Sequence, residues 1–299
     1  MTSQSIRGIF TALITPMTNE GVDYPALEAL VEWQIQQGVD GLVPCGTTGE
    51  SPTLTHAEHK RVVETVVKVA NKRVHVMAGA GSNSTEETLD LTRHAHHVGA
   101  DSVLLVAPYY NKPNAEGQFA HFHYVASRVD SPIIVYNIPG RSVIDIADDT
   151  LLRLAEACTN IVGVKDATGD LARVAKLHHR AGDRLALLSG EDLTALGFNA
   201  MGGQGCISVS SNVAPVLCRD VQHYSLEGDY ELAKVAHDQL VPLHLAMFCE
   251  TNPIAVKYAM SLMELCQPTL RLPLVQPSLA SQQWIRSALE QLDLLEQLS

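Results

Sequence analysis

The sequence has no apolar run approaching the ~18 uninterrupted residues a membrane helix needs, and its opening, MTSQSIRGIF, lacks the apolar core of a signal peptide. A cytoplasmic chain with no membrane partner is expected. The six cysteines (Cys45, Cys158, Cys206, Cys218, Cys249 and Cys266) include no CxxC pair. They form no compact framework, so buried free thiols in a reducing compartment are expected rather than disulfides or a zinc site. Basic residues are scarce, 21 against 33 acidic ones for a formal net charge of −12. That balance opposes nonspecific attraction to nucleic acid or anionic lipid and leaves small molecules as the expected partners. Nucleotide signatures are missing too. GTTGES lacks the lysine of a phosphate loop, and GAGSNS (79–84) lacks the third glycine of a dinucleotide fingerprint. No strand end offers a His-x-His or a carboxylate cluster, so neither a metal nor a cofactor is expected. His94, His96 and His97, with His121 and His123, fall in helical patterns at spacings that seldom ligate one ion, and read as solvated faces.

What is present is a rhythm. The chain has 299 residues, of which 46% are hydrophobic, enough for one barrel-sized core with a small addition. Short β-rich runs begin at Gly8, Gly41, His75, Ser102, Ile133, Ile161, Leu185 and Gly205, with amphipathic segments between them. Leu27, Leu30, Val31 and Ile35 share one helix face, and Val62, Val66, Val69 and Ala70 share another. Thr55 with Glu58 and Ser84 with Glu87 read as capping boxes. Strands that are apolar throughout need cover on both faces, as in a parallel sheet, and eight strand-helix units predict an α/β fold closed as a (β/α)8 TIM barrel over 1–229. A doubly wound open sheet is the alternative, but the first strand is not followed by its glycine turn. From 230 to 299 the pattern predicts a helical extension, with Asn252 as a cap and Pro253 at the first helical position of one helix.

In such a barrel the site lies at the C-terminal ends of the strands. Those ends deliver GTTGES, PYYNKP, YNIPGR, KDATG and SGED, which bring Thr47, Thr48, Tyr109, Tyr110, Tyr136, Arg141 and Lys165 toward one mouth. Lys165 ends the apolar run IVGVK and admits two readings. Its stem could cover apolar surface while the ammonium reaches water. Alternatively, partial burial lowers its pKa so that the neutral amine attacks a carbonyl and forms a Schiff base. Neighbouring tyrosines and threonines suit the second, since imine formation moves protons to and from a departing hydroxyl. Arg141 reads either as a surface ion pair or as a bidentate clamp on a carboxylate.

The set GTTGES, PYYNKP, YNIPGR, GVKDATGD, SGED and ETNPIAVKYA, in this order and along nearly the whole chain, closely resembles the dihydrodipicolinate synthases. These belong to the pyruvate-dependent class I aldolase superfamily, which also includes the N-acetylneuraminate lyases. The resemblance implies a lyase in which Lys165 condenses with pyruvate and the derived enamine attacks L-aspartate 4-semialdehyde. Cyclisation then releases 4-hydroxy-tetrahydrodipicolinate, the entry to lysine and diaminopimelate synthesis. It makes Tyr136 the central proton donor and acceptor, linked through Thr48 to Tyr110, with Tyr110 entering from a neighbouring subunit. A homo-oligomer follows, commonly a tetramer built as a dimer of dimers. The backbone at Thr48 and Ile207 would hold the pyruvate carboxylate and imine region, with Thr47 beside it, and Arg141 would bind the semialdehyde carboxylate. Sialic acid lyases and sugar-acid aldolases generally lack that arginine, so its presence favours the synthase. A second site is implied at Ser51, His56, His59, Asn83, Glu87 and Tyr109, where lysine-inhibited members bind feedback lysine, although helix starts also account for His56 and Glu87. The rival readings are an aldolase acting on a sugar acid and a barrel that only binds small molecules.

Overall fold

The computed structural model describes residues 6–295. Eight parallel strands close into a barrel: β1 (Gly8–Ala12), β4 (Gly41–Val43), β5 (His75–Gly79), β6 (Ser102–Val106), β7 (Ile133–Asn137), β8 (Ile161–Asp166), β9 (Ala186–Ser189) and β10 (Gly205–Ser208). Each strand pairs with its sequence neighbour, and β1 closes the ring against β10. Seven of the eight strands begin where the sequence places them and β9 one residue later, because each carries a largely apolar run that is buried on both faces. An antiparallel hairpin, β2 (Met17–Thr18) with β3 (Gly21–Val22), was not expected; two residues per strand leave no periodicity to read.

Helices cover the barrel: α1 (Tyr24–Gln36), α2 (His56–Ala70), α3 (Thr85–His97), α4 (Ala115–Ala126), the short α5 (Pro139–Ser142), α6 (Asp148–Ala157), α7 (Leu171–Ala181), α8 (Ala195–Ala200) and α9 (Pro215–Glu227). The remaining helices are α10 (Tyr230–Met247), α11 (Ile254–Leu262) and α12 (Leu279–Glu290). The helical extension was expected to run to 299; the last observed helix stops at Glu290, and residues 296–299 lie outside the described residues. One apolar cluster fills the space between strands and helices. A second fills the barrel interior, where Phe10, Val43, Met77, Leu104, Ile134, Tyr136, Val162, Leu188 and Ile207 meet. No helix among the described residues is long and apolar enough to cross a membrane.

The seam between first and last strands is tight. Gly8 pairs with Gly205, and a Cβ on Gly205 would lie 2.2 Å from the Gly8 carbonyl oxygen, so only glycine fits there. Asn212 ties the two ends, accepting from the Ile14 amide at 3.1 Å and donating to the Ala12 carbonyl at 2.8 Å.

Three local expectations are corrected. The Thr55 box forms in full, but Ser84 forms only half of one: its hydroxyl accepts from the Glu87 amide while the Glu87 carboxylate turns to Ser82 and His56 instead of reaching back. Asn252 does not cap α11; Pro253 occupies that position after a cis peptide bond, and the Asn252 side chain faces elsewhere. His121 is buried beside Phe122, pairing through Nδ1 with the Thr85 hydroxyl at 2.9 Å, and burial draws its pKa down to about 4.

Candidate active site

Lys165 stands on the inner face of β8, two residues beyond Gly163. A Cβ on Gly163 would meet the Ala186 carbonyl oxygen at 2.8 Å, so the interior layer beneath the lysine has no room for a larger residue. In the ladder Lys165 pairs with Tyr136 of β7 on one side and Leu188 of β9 on the other. Both members of the Lys165–Tyr136 pair are buried, at 6% and 5% exposure, and Nζ lies 4.3 Å from the tyrosine ring centroid. No ion pair to Lys165 occurs among the described residues; the nearest carboxylate in sequence, Asp166, pairs with Arg173 Nε at 2.9 Å. An amine held against an aromatic face without a carboxylate partner can serve as a cation over the ring or, when neutral, as a nucleophile. Gly190, in SGED, makes room for it: a Cβ there would come within 2.9 Å of Lys165 Cε. The sequence reading used SGED as a strand end and as part of the family resemblance, and gave Gly190 no role.

Thr47 and Thr48 sit on the turn after β4, wound tightly by Cys45 and Glu50, both non-glycine residues with φ of 55°. Gly49 N donates to the Gly46 carbonyl and Glu50 N to the Thr47 carbonyl, each at 3.1 Å. The turn is anchored from beneath. The Glu50 carboxylate, 1% exposed, pairs with Lys257 of α11, which is fully buried, and also accepts from the Arg271 amide at 3.1 Å. Burial pulls the Lys257 pKa down against the attraction of Glu50. Thr48 is buried, and its hydroxyl accepts from Asn252 Nδ2 at 3.0 Å. The carbonyl of the same Asn252 accepts from Arg141 Nη2 at 2.9 Å. Neither Glu50 nor Asn252 was singled out from sequence as a site residue. The signal available for Asn252 was a polar side chain opening the apolar helical motif ETNPIAVKYA, and for Glu50 a carboxylate inside the turn motif GTTGES.

A cavity of about 300 Å³ opens above these groups, lined among others by Thr47, Glu50, Tyr109, Arg141 and Asn252. Ile207 ends in the barrel interior on β10. Tyr110 departs from the expected convergence: it is 89% exposed, with φ of 68°, and is not among the residues lining this cavity.

Beside this lies a second, smaller cavity of about 220 Å³, lined by Ser51, His56, His59, Glu87 and Tyr109 among others. Five of the six residues expected there line it; the sixth, Asn83, instead gives its carbonyl to Asn111 Nδ2 at 2.8 Å. Burial holds the His59 pKa down at about 4, so the ring facing this space is neutral near pH 7, while Glu87 supplies the carboxylate.

The dihydrodipicolinate synthetase family model matches residues 5–292. The 4-hydroxy-tetrahydrodipicolinate synthase of Parvibaculum lavamentivorans is 57% identical over 289 residues, 97% of this chain and 99% of that protein. A dihydrodipicolinate synthase from Acinetobacter baumannii, solved with pyruvate, superposes with a TM-score of 0.95 at 43% identity, covering 97% of this chain and 99% of the other. The enzyme from Cyanidioschyzon merolae, solved with lysine bound, superposes with a TM-score of 0.93 at 36% identity, with the same coverage.

Proposed function

Because the chain belongs to the dihydrodipicolinate synthetase family, we infer that the mouth of its barrel carries out that family's condensation, with Lys165 as the nucleophile. The enzyme is a lyase of the class I aldolase type that joins pyruvate to L-aspartate 4-semialdehyde and forms 4-hydroxy-tetrahydrodipicolinate. The observation that carries the reading is the buried Lys165 amine, set against Tyr136 with no ion pair to it among the described residues.

Lys165 Nζ attacks the pyruvate carbonyl carbon, and the carbinolamine loses its hydroxyl as water once Tyr136 supplies a proton. Loss of a methyl proton from the imine gives an enamine, whose carbon attacks the semialdehyde's aldehyde carbon, and the aldehyde oxygen takes up a proton. The substrate's own amine then adds to the imine carbon, expelling Lys165 and closing the ring. Thr48 links Tyr136 to Tyr110 of a second copy, the exposure of Tyr110 supporting a role outside its own barrel. The backbone of Thr48 and Ile207, with Thr47, seats the pyruvyl carboxylate, and Arg141 takes the carboxylate of the semialdehyde. In this reading residues 1–229 form the catalytic barrel and 230–299 a helical domain that reaches into the site through Asn252 and Lys257. The assembly is a tetramer of paired dimers in the cytoplasm. The smaller cavity takes L-lysine as a feedback inhibitor, its ammonium on Glu87.

The test is reduction with borohydride in the presence of pyruvate, followed by digestion and mass spectrometry. A reduced pyruvyl adduct on the peptide carrying Lys165 is expected; an adduct on Lys257, or none, refutes the assignment.

A further inference from the structure

Asn252 touches both halves of the site at once, and its two contacts come from different parts of the residue. The side-chain amide donates through Nδ2 to Thr48 Oγ1 at 3.0 Å, whereas the backbone carbonyl accepts from Arg141 Nη2 at 2.9 Å. The residue is 6% exposed, and Oδ1 has no partner among the described residues, so the contact with Thr48 is the side chain's one hydrogen bond there. An asparagine followed by proline at the head of a helix ordinarily caps it. Here the side chain gives up that position and turns to the threonine instead.

A hydroxyl has one proton and two lone pairs. When a neighbouring N–H fills a lone pair of Oγ1, the hydroxyl proton has to point away from that neighbour, and it is uncommitted to any other partner among the described residues. We propose that Asn252 is a positioning residue for the condensation: its amide fixes the direction of the Thr48 hydroxyl, so that Thr48 donates into the tyrosine relay, while its backbone carbonyl aims Arg141. The proposal rests on Thr48 acting in that relay. It adds a polarity to the relay, and it gives the helical 230–299 segment a part in the proton transfers.

The two contacts make the test specific. Asn252→Ala removes the amide but keeps the carbonyl, so kcat falls about tenfold or more while KM for the semialdehyde stays within about twofold of wild type. In a Thr48→Val background, which has no hydroxyl left to direct, Asn252→Ala costs nothing further in kcat. Asn252→Asp preserves the shape but offers an acceptor; the new carboxylate draws the Thr48 proton to itself. The ratio of its kcat to that of wild type therefore climbs as pH falls and the acid becomes protonated and able to donate. Melting curves are recorded alongside, and if Asn252→Ala fails to fold, the pH profile of the near-isosteric Asp variant carries the test.

Wild-type kcat in Asn252→Ala, an undiminished loss on the Thr48→Val background, or equal changes in kcat and the semialdehyde KM would each overturn the proposal. Trapping of pyruvate on the wild-type enzyme separates the two levels of inference. No adduct at Lys165 sinks the condensation reading and this proposal with it, whereas an adduct together with unaltered Asn252 variants sinks this proposal alone.

Discussion

Replacing Lys257 by methionine perturbs the site's foundations while leaving every proposed substrate contact in place. The lysine is fully buried and the Glu50 carboxylate it pairs with is 1% exposed, so the variant strands a carboxylate with only the Arg271 amide to satisfy it. Removing one partner of a buried ion pair costs about 3–5 kcal/mol. At roughly 2 °C per kcal/mol for a chain of this size, the melting temperature falls by about 6–10 °C. The pair itself adds little net stability, because burial already outweighs the attraction of Glu50 in setting the Lys257 pKa. The double variant Lys257→Met, Glu50→Gln, which removes both charges, therefore recovers most of the loss. Calorimetry at fixed protein concentration measures both. A Lys257→Met shift below about 2 °C, or a double variant less stable than the single one, refutes the reasoning.

Further outcomes follow from the same geometry. Neither Tyr110→Phe nor Lys165→Ala alone should turn over at the wild-type rate, but unfolding and refolding them together should restore about a quarter of the sites, since each mixed dimer rebuilds one intact mouth; no recovery means that Tyr110 does not act across subunits. Lysine at millimolar concentration should slow the wild-type enzyme, and Glu87→Gln should relieve that inhibition with basal kcat retained; an uninhibited wild type removes the lysine site. The Arg271 guanidinium hydrogen-bonded to Glu58 holds that carboxyl at about 2, below its ordinary value. A depressed carboxyl contributes stability that is complete above the unfolded value near 4.3 and drains away as pH falls toward 2. Urea titrations between pH 5 and 2 should therefore show a shallower acid loss in Glu58→Gln, and parallel curves would refute the assignment.

The barrel was legible because its strands carry largely apolar runs that end at polar motifs, so both the buried run of β8 and the lysine that follows it stand out in one dimension. Lys165 and Tyr136 needed only register to meet. Asn252 was misread because capping signatures describe local backbone geometry, while its partner, Thr48, lies 204 positions away. Glu50 and Lys257 escaped notice for the same reason, being 207 positions apart. His121 was assigned to a solvated face although Phe122 and Val125 on the same helix are buried with it; spacing between histidines was weighed ahead of their apolar neighbours. Tyr110 was expected at a neighbouring subunit only through the family resemblance. Its own environment shows an exposed ring and nothing of where that ring goes.

The seam at Gly8 and Gly205 also sets a timetable for synthesis on the ribosome. β1 gains one neighbour when β4 emerges, but its other edge waits for β10 and for Asn212, some two hundred residues later. At about 5–20 residues per second, that edge stays open for about 10–40 s in each nascent chain. An unpaired apolar strand recruits other strands, so the interval exposes the chain to aggregation before any active site exists. Circular permutation that joins residue 299 to residue 1 and opens the chain near Gly182, between β8 and β9, halves the distance in sequence between β10 and β1, and it hands the late-closing edge to β8 and β9 instead.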